Sequence, residues 1–114
     1  MTPAAAALFD ALGDPTRRAI VSHVARGPVS VSALAQPLGI TVTAVGQHLR
    51  LLERVGLLRS VKQGRVRHCM LRPEGLRAIE DWARACRSDW DSRLDRLGDL
   101  LDALPDEKEE RATP

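Results

Sequence analysis

The sequence predicts a mostly α-helical domain with one small β-hairpin and a long C-terminal helix. Three observations predict it: capped helical stripes up to about Val55, a change to twofold alternation after Gly56, and an apolar row at spacings of three and four from Leu76 to Leu104. At 114 residues, with 44% hydrophobic and 28% charged side chains, the chain can bury one core, yet it is small enough for self-association to help stabilise it. Residues 1–104 are expected to form this single domain, and the charged, proline-bounded PDEKEERATP at 105–114 a disordered tail.

The first helix is expected over PAAAALFDAL, where Ala4, Leu8 and Leu12 recur at helical spacing and Gly13 supplies the stop. In GDPTRRAIVSHVARGP, Asp14 is the N-cap, Pro15 the first helical residue, Ile20, Val21 and Val24 the stripe, and Gly27 with Pro28 the terminator. SVSALAQPLG reads as a short helix capped by Ser30 and stopped by Gly39, its last turn tightened or broken by Pro37. Thr41 caps the next helix, which runs to about Val55 with Val42, Val45, Leu49 and Leu52 inward. Two helices joined by only "GIT" make a helix-turn-helix pattern. LLRSVKQ and VRHCMLR around Gly64 and Arg65 are two strands of a hairpin, which in this position is a wing. From Pro73 to about Leu104 one helix carries Leu76, Ile79, Ala83, Cys86, Trp90, Leu94, Leu97, Leu101 and Leu104, a seam for a second helix and hence for a homodimer.

Net charge is only +2, but it is unevenly spread: residues 41–72 hold seven basic and one acidic side chain, whereas residues 73–114 hold seven and twelve. A polyanion can dock on the centre while the acidic end stays away. Facing outward on the helix after Thr41 are Thr43, Gln47, Arg50 and Arg54, with Ala44 and Leu51 on one shoulder and His48 at the edge of the core. Gln pairs with adenine through its amide, Thr bonds a base or touches the thymine methyl, and Arg reaches guanine or phosphate, so this set suits the major groove of double-stranded DNA. His48 fits packing or a phosphate better than a base. Lys62, Gln63, Arg65 and Arg67 cluster at the hairpin tip, placed for phosphate or the minor groove. An ordinary solvated helix face and turn are the plain alternative.

The segments LFDALGDPTRRAIV, VSVSALAQPLGITVTAVGQHLRLLERVGLL and QGRVRHCML together resemble the winged helix-turn-helix repressors of the ArsR family, over residues 8–97. DPTRRAI and HLRLLERVGLL carry most of the specificity, and the stretch from Trp90 to Leu97 is similar to a branch whose last helix does not bind metal. The resemblance implies a homodimer built on the first and last helices, with Leu8, Ile79, Ala83, Cys86, Trp90, Leu94 and Leu97 at its interface. It also implies an operator-binding helix over Thr41–Val55 and repression relieved by a signal, a small molecule or an oxidant. At Gly46 many relatives carry serine, so one DNA contact is missing here and the helix is less rigid.

Metal sensors of that family place a Cys-x-Cys pair in the helix before the operator-binding one, or His, Asp and Glu pairs on the last helix. SVSALAQ has no cysteine, the last helix has no histidine, and His23, His48 and His68 are scattered, so neither a metal nor another cofactor is expected. Cys86, in the seam, and Cys69, on a strand, read as small buried hydrophobes with reduced thiols. No nucleophile triad, phosphate loop or paired carboxylates point to an enzyme. A membrane span and a signal peptide are not expected, which places the protein in the cytoplasm. The competing class is a dimeric protein-interaction module that keeps the fold and binds an acidic protein through the basic face.

Overall fold

The computed structural model describes residues 1–105; the expected tail lies outside them apart from Pro105. Helices α1 (Pro3–Leu12) and α2 (Pro15–Val24) begin alike, with proline at the start and a side-chain oxygen accepting the third backbone amide. Thr2 Oγ1 accepts from Ala5 N at 3.1 Å, and Asp14 Oδ2 from Arg17 N at 2.9 Å. The end of α1 is closed by side chains of α2. Arg17 Nε donates to the Ala11 carbonyl at 2.6 Å, and Arg18 Nη1 to the Leu12 and Gly13 carbonyls at 2.7 and 3.1 Å. These are carbonyls a helix terminus leaves without partners, so the two arginines weld α1 to α2.

Strand β1 (Val29–Ser30) leads directly into α3 (Val31–Leu38), whose cap is Ser30, and α4 (Val42–Arg54) follows with Thr41 as cap. Pro37 neither breaks nor shortens α3. It is the seventh of eight residues, so its missing N–H removes one bond near an end that is closed independently. There the Gly39 N–H donates to Gln36 O at 3.1 Å and the Ile40 N–H to Ala35 O at 3.2 Å, with Gly39 at φ 66°. Strands β2 (Leu58–Gln63) and β3 (Val66–Leu71) form the hairpin around Gly64, pairing from Leu58↔Leu71 to Gln63↔Val66. On the other edge of β3, β1 pairs Val29 with Cys69 and Ser30 with His68, so the sheet has three strands in the order β1-β3-β2, not the expected two. A strand of two residues is too short to show alternation.

Leu8, Ala11, Ile20, Val24, Leu34, Val45, Leu49, Leu52, Leu57, Leu58 and Cys69 form the buried core. Helix α5 (Pro73–Ala103) enters it through Leu76, Ala78 and Ile79, and Phe9 meets Trp82 edge-on at 4.8 Å between ring centroids. Two assignments on α4 need correcting, one inward and one outward. Val42 is 52% exposed, because α4 extends its first residue beyond the core, while Leu51 is half-buried against the core and not an outward shoulder. The chain divides into two compact units, Met1–Trp82, which holds this core, and a second from Ala83 on. In the second unit the described residues are exposed apart from half-buried Gly98.

The start of α5 is fixed by an approach only glycine permits. A Cβ on Gly75 would lie 2.4 Å from the Gly56 carbonyl oxygen, while the Arg72 N–H donates to Leu57 O at 2.8 Å. Gly46, in the interior of α4, is the opposite case, since a Cβ there meets nothing nearer than Arg50 Nη2 at 3.8 Å. Gly75→Ala should therefore destabilise the fold by about 1–3 kcal/mol through overpacking, and Gly46→Ala should stabilise it by about 1 kcal/mol through helix propensity. Urea unfolding of the two variants beside the parent checks both signs; equal shifts in the same direction would contradict these packing environments.

Candidate nucleic-acid interface

Val45, Leu49 and Leu52 are sealed in the core, and this turns the other side of α4 to solvent. Thr43, Gln47, Arg50 and Arg54 are all exposed, as expected. Among the described residues the side chains of Thr43, Gln47 and Arg50 have no hydrogen-bond or ion-pair partner within the chain. Thr41 has a structural duty first: its Oγ1 accepts from Ala44 N at 3.1 Å, which leaves the hydroxyl proton to donate elsewhere. Ala44 and His48 are half-buried at the flanks. His48 is close enough to Asp14 to help hold that carboxyl below its usual range, behind the larger effect of the Arg17 amide hydrogen bond.

The arginines of α4 diverge. Arg50 lines a cleft of about 380 Å³ between α4 and the wing, with Val31, Gly46, Leu49, Glu53, Ser60 and Arg67. Arg54 lies instead toward α1, beside Asp10, Ala11 and Arg17. At the wing tip Lys62, Gln63, Arg65 and Arg67 are exposed, and the register sets Lys62 directly across from Arg67. Like charges in that relation repel, so the tip favours an anion nearby. Arg67 relieves the repulsion differently, donating from Nη1 to Ser60 Oγ at 3.0 Å. Arg17, Arg18, Glu53 and Ser60 were not marked by sequence reasoning. The arginines act on backbone carbonyls, which leave no sequence signal, and Ser60 was hidden as one polar residue in an alternating strand.

Of the residues assigned to a partner interface, Leu8 is corrected: it is 3% exposed and belongs to the chain's own core, as a regular inward position of α1. Ile79 is half-buried against the same core. Ala83, Cys86, Trp90, Leu94 and Leu97 are exposed, Trp90 at 60%, so Cys86 is not buried by its own chain. Among the described residues no three His, Cys, Asp or Glu side chains stand together as a metal site, and no helix is long and apolar enough to cross a membrane.

A helix-turn-helix domain family matches residues 12–61, which contain α2, α3, α4 and the start of the wing. The HTH-type transcriptional regulator Rv2034 of Mycobacterium tuberculosis is 40% identical over 82 residues, 68% of this chain and 77% of that protein. Among solved structures, an ArsR family transcriptional regulator is 39% identical, with a TM-score of 0.74 over 81% of this chain and 96% of that one. An ArsR-like transcriptional regulator from Rhodococcus sp. RHA1 is 30% identical, with a TM-score of 0.76 over 89% and 95% of the two chains.

Cys69 lies behind this surface, 1% exposed at the root of the wing, and burial with the nearby Glu53 carboxylate pushes its thiol up to about 11. A thiolate at neutral pH is thereby suppressed. Because the folded-state value lies above the thiol's ordinary 9.0, the neutral thiol stabilises the fold below pH 9, and that stability is lost as pH rises toward 11. Between pH 8 and 10.5 the parent should lose about 2 kcal/mol more stability than Cys69→Ala. Urea unfolding at both values checks this; parallel losses would mean that the thiol titrates normally.

Proposed function

Because this chain belongs to the ArsR family of winged helix-turn-helix transcription regulators, we propose that it is a dimeric cytoplasmic repressor. In this reading α4 lies in the major groove of a partly palindromic operator, and the wing lies on the flanking backbone. The observation that carries it is the pair Thr43 and Gln47, exposed and unpartnered within the chain on a helix whose orientation the core fixes. Gln47 and Thr43 read base edges, and Arg50, Lys62 and Arg65 meet phosphate or the minor groove. Of the rest of the DNA-facing set, Thr41, Ala44, His48 and Arg54 border this track and contribute cap, shape and charge, and Arg67 lies across the wing from Lys62.

The dimer is supported by the exposed apolar row Trp90, Leu94, Leu97, Leu101 and Leu104, which the described residues of its own unit leave uncovered. Ala83 and Cys86 continue it, while Leu8 and Ile79 are occupied inside the chain. Relief of repression by a small molecule or an oxidant belongs to the same reading, as does the absence of a metal or other cofactor.

Selection of bound fragments from random duplex DNA tests the function. A recovered sequence with twofold character is expected, whereas indifference among duplexes would favour a protein-interaction module that uses the same basic face. On the recovered operator, Gln47→Ala should cost roughly 1–3 kcal/mol per half-site and relax the preference at one base position, with nonspecific binding nearly unchanged. Arg65→Ala should weaken binding to most sequences and flatten the slope of log affinity against log salt by about one per contact. Identical behaviour of the two variants would show that α4 does not read bases. Trp90→Asp should yield monomers or aggregates in light scattering, because a dimer would bury its charge without a partner; an intact dimer that still binds DNA would remove Trp90 from the interface.

A further inference from the structure

Glu53 near the end of α4, Ser60 on β2 and Arg67 on β3 form one hydrogen-bonded chain across three elements. Ser60 Oγ donates to Glu53 Oε1, and Arg67 Nη1 donates to Ser60 Oγ at 3.0 Å. A hydroxyl has one proton to give, and here its proton and an acceptor site are both committed, so its orientation is set from two sides. Glu53 and Ser60 are half-buried, which shields the link from water more than a surface pair is shielded.

The strand register explains why Arg67 joins this chain. Ser60 is opposite Cys69 and Lys62 opposite Arg67, so alternation sets all four on the face that includes buried Cys69. Straight across the ladder Arg67 meets another cation, whereas diagonally it meets Ser60, and through it the carboxylate of Glu53. Glu53 and Arg67 also act on the Cys69 thiol in opposite senses, as charges close to the same strand would.

We propose that Glu53, Ser60 and Arg67 are positioning residues that fix the angle of the wing against α4, with Arg67 acting as a strut instead of a phosphate contact. The proposal rests on the DNA-binding reading above. Toward the tip from Cys69 the hairpin is held by its own ladder and turn and, at His68, by β1; the Glu53 carboxylate adds a side-chain hydrogen bond from the reading helix to β2. A wing released from that tie keeps Lys62 and Arg65 but no longer presents them in step with Gln47.

The test is a double-mutant cycle on the full chain, using the selected operator and a scrambled duplex at several salt concentrations. Ser60→Ala and Arg67→Ala should each lower operator affinity by about tenfold, the scale of one charge-assisted hydrogen bond. Neither should change the salt slope, although Arg65→Ala flattens it by about one. The double variant should bind no more weakly than either single one, and Ser60→Thr, which keeps the hydroxyl, should bind as the parent does. Should Arg67→Ala fold poorly, Glu53→Gln with Ser60→Ala supplies the same cycle. Unchanged affinity in Ser60→Ala, multiplying losses in the double variant, or a slope flattened by Arg67→Ala would overturn the strut. An unmutated chain that prefers no duplex would overturn it together with the DNA reading, a failure recognisable before any variant is made.

Discussion

The surface this chain offers depends on the burial of Val45, Leu49 and Leu52 on one side of α4. A helix has no preferred rotation about its own axis in solution. Burying three side chains at spacings of four and three supplies that preference, since rotating α4 away from it would return apolar area to water at about 25 cal/mol per Å². Once the rotation is set, the positions of Thr43, Gln47 and Arg50 follow from 3.6 residues per turn alone. Thr41 sets where the helix begins and Gly39 the direction from which the chain arrives, through its left-handed φ of 66°. The polar residues are thus displayed by apolar ones.

Most of the architecture was legible because its signals are local. Asp14, Ser30 and Thr41 cap the helices they were expected to cap, each by accepting an amide three residues on. The hairpin was legible in its alternation and its glycine turn. What escaped reading depends on partners far apart in sequence. The strand Val29–Ser30 exists because Cys69 and His68 on β3 offer backbone groups to it. Gly75 is required by the Gly56 carbonyl, and neither glycine announces the other. Cys86 was placed in a buried seam by period alone, which separates polar from apolar faces but does not say which neighbour covers the apolar one, and the resemblance that set Leu8 at a partner interface does not say so either. The candidate site was legible as a set of side chains on α4 and the wing, while its internal wiring through Ser60 was not, because a serine on a strand has many ordinary uses.

The whole-chain charge of +2 conceals an arrangement suited to a polyanion. The cations of the wing tip are crowded beyond what a strand pair tolerates comfortably, with Lys62 facing Arg67. Arg67 donates to Ser60, whose hydroxyl reaches Glu53, while Lys62 on the same face and Arg65 in the turn are exposed. The acidic side chains from residue 73 on carry the opposite sign to the basic centre, so the modest whole-chain charge is the difference between two uneven stretches.

Gly46 gives the molecule a kind of latitude. Most positions of a helix anchored in a core are closed to change, because a new side chain either collides or uncovers apolar area. Here the position faces a cleft shared with Arg50 and the wing, and the first atom of any side chain would find its nearest neighbour at 3.8 Å. Glycine is one base change away from alanine, serine, aspartate, arginine or valine. Each of these first three-dimensional trials would begin from a helix made stiffer, not weaker, by the loss of glycine. Folding therefore does not police this site, and a lineage carrying this chain can change the side chain offered to that cleft without first acquiring a compensating mutation.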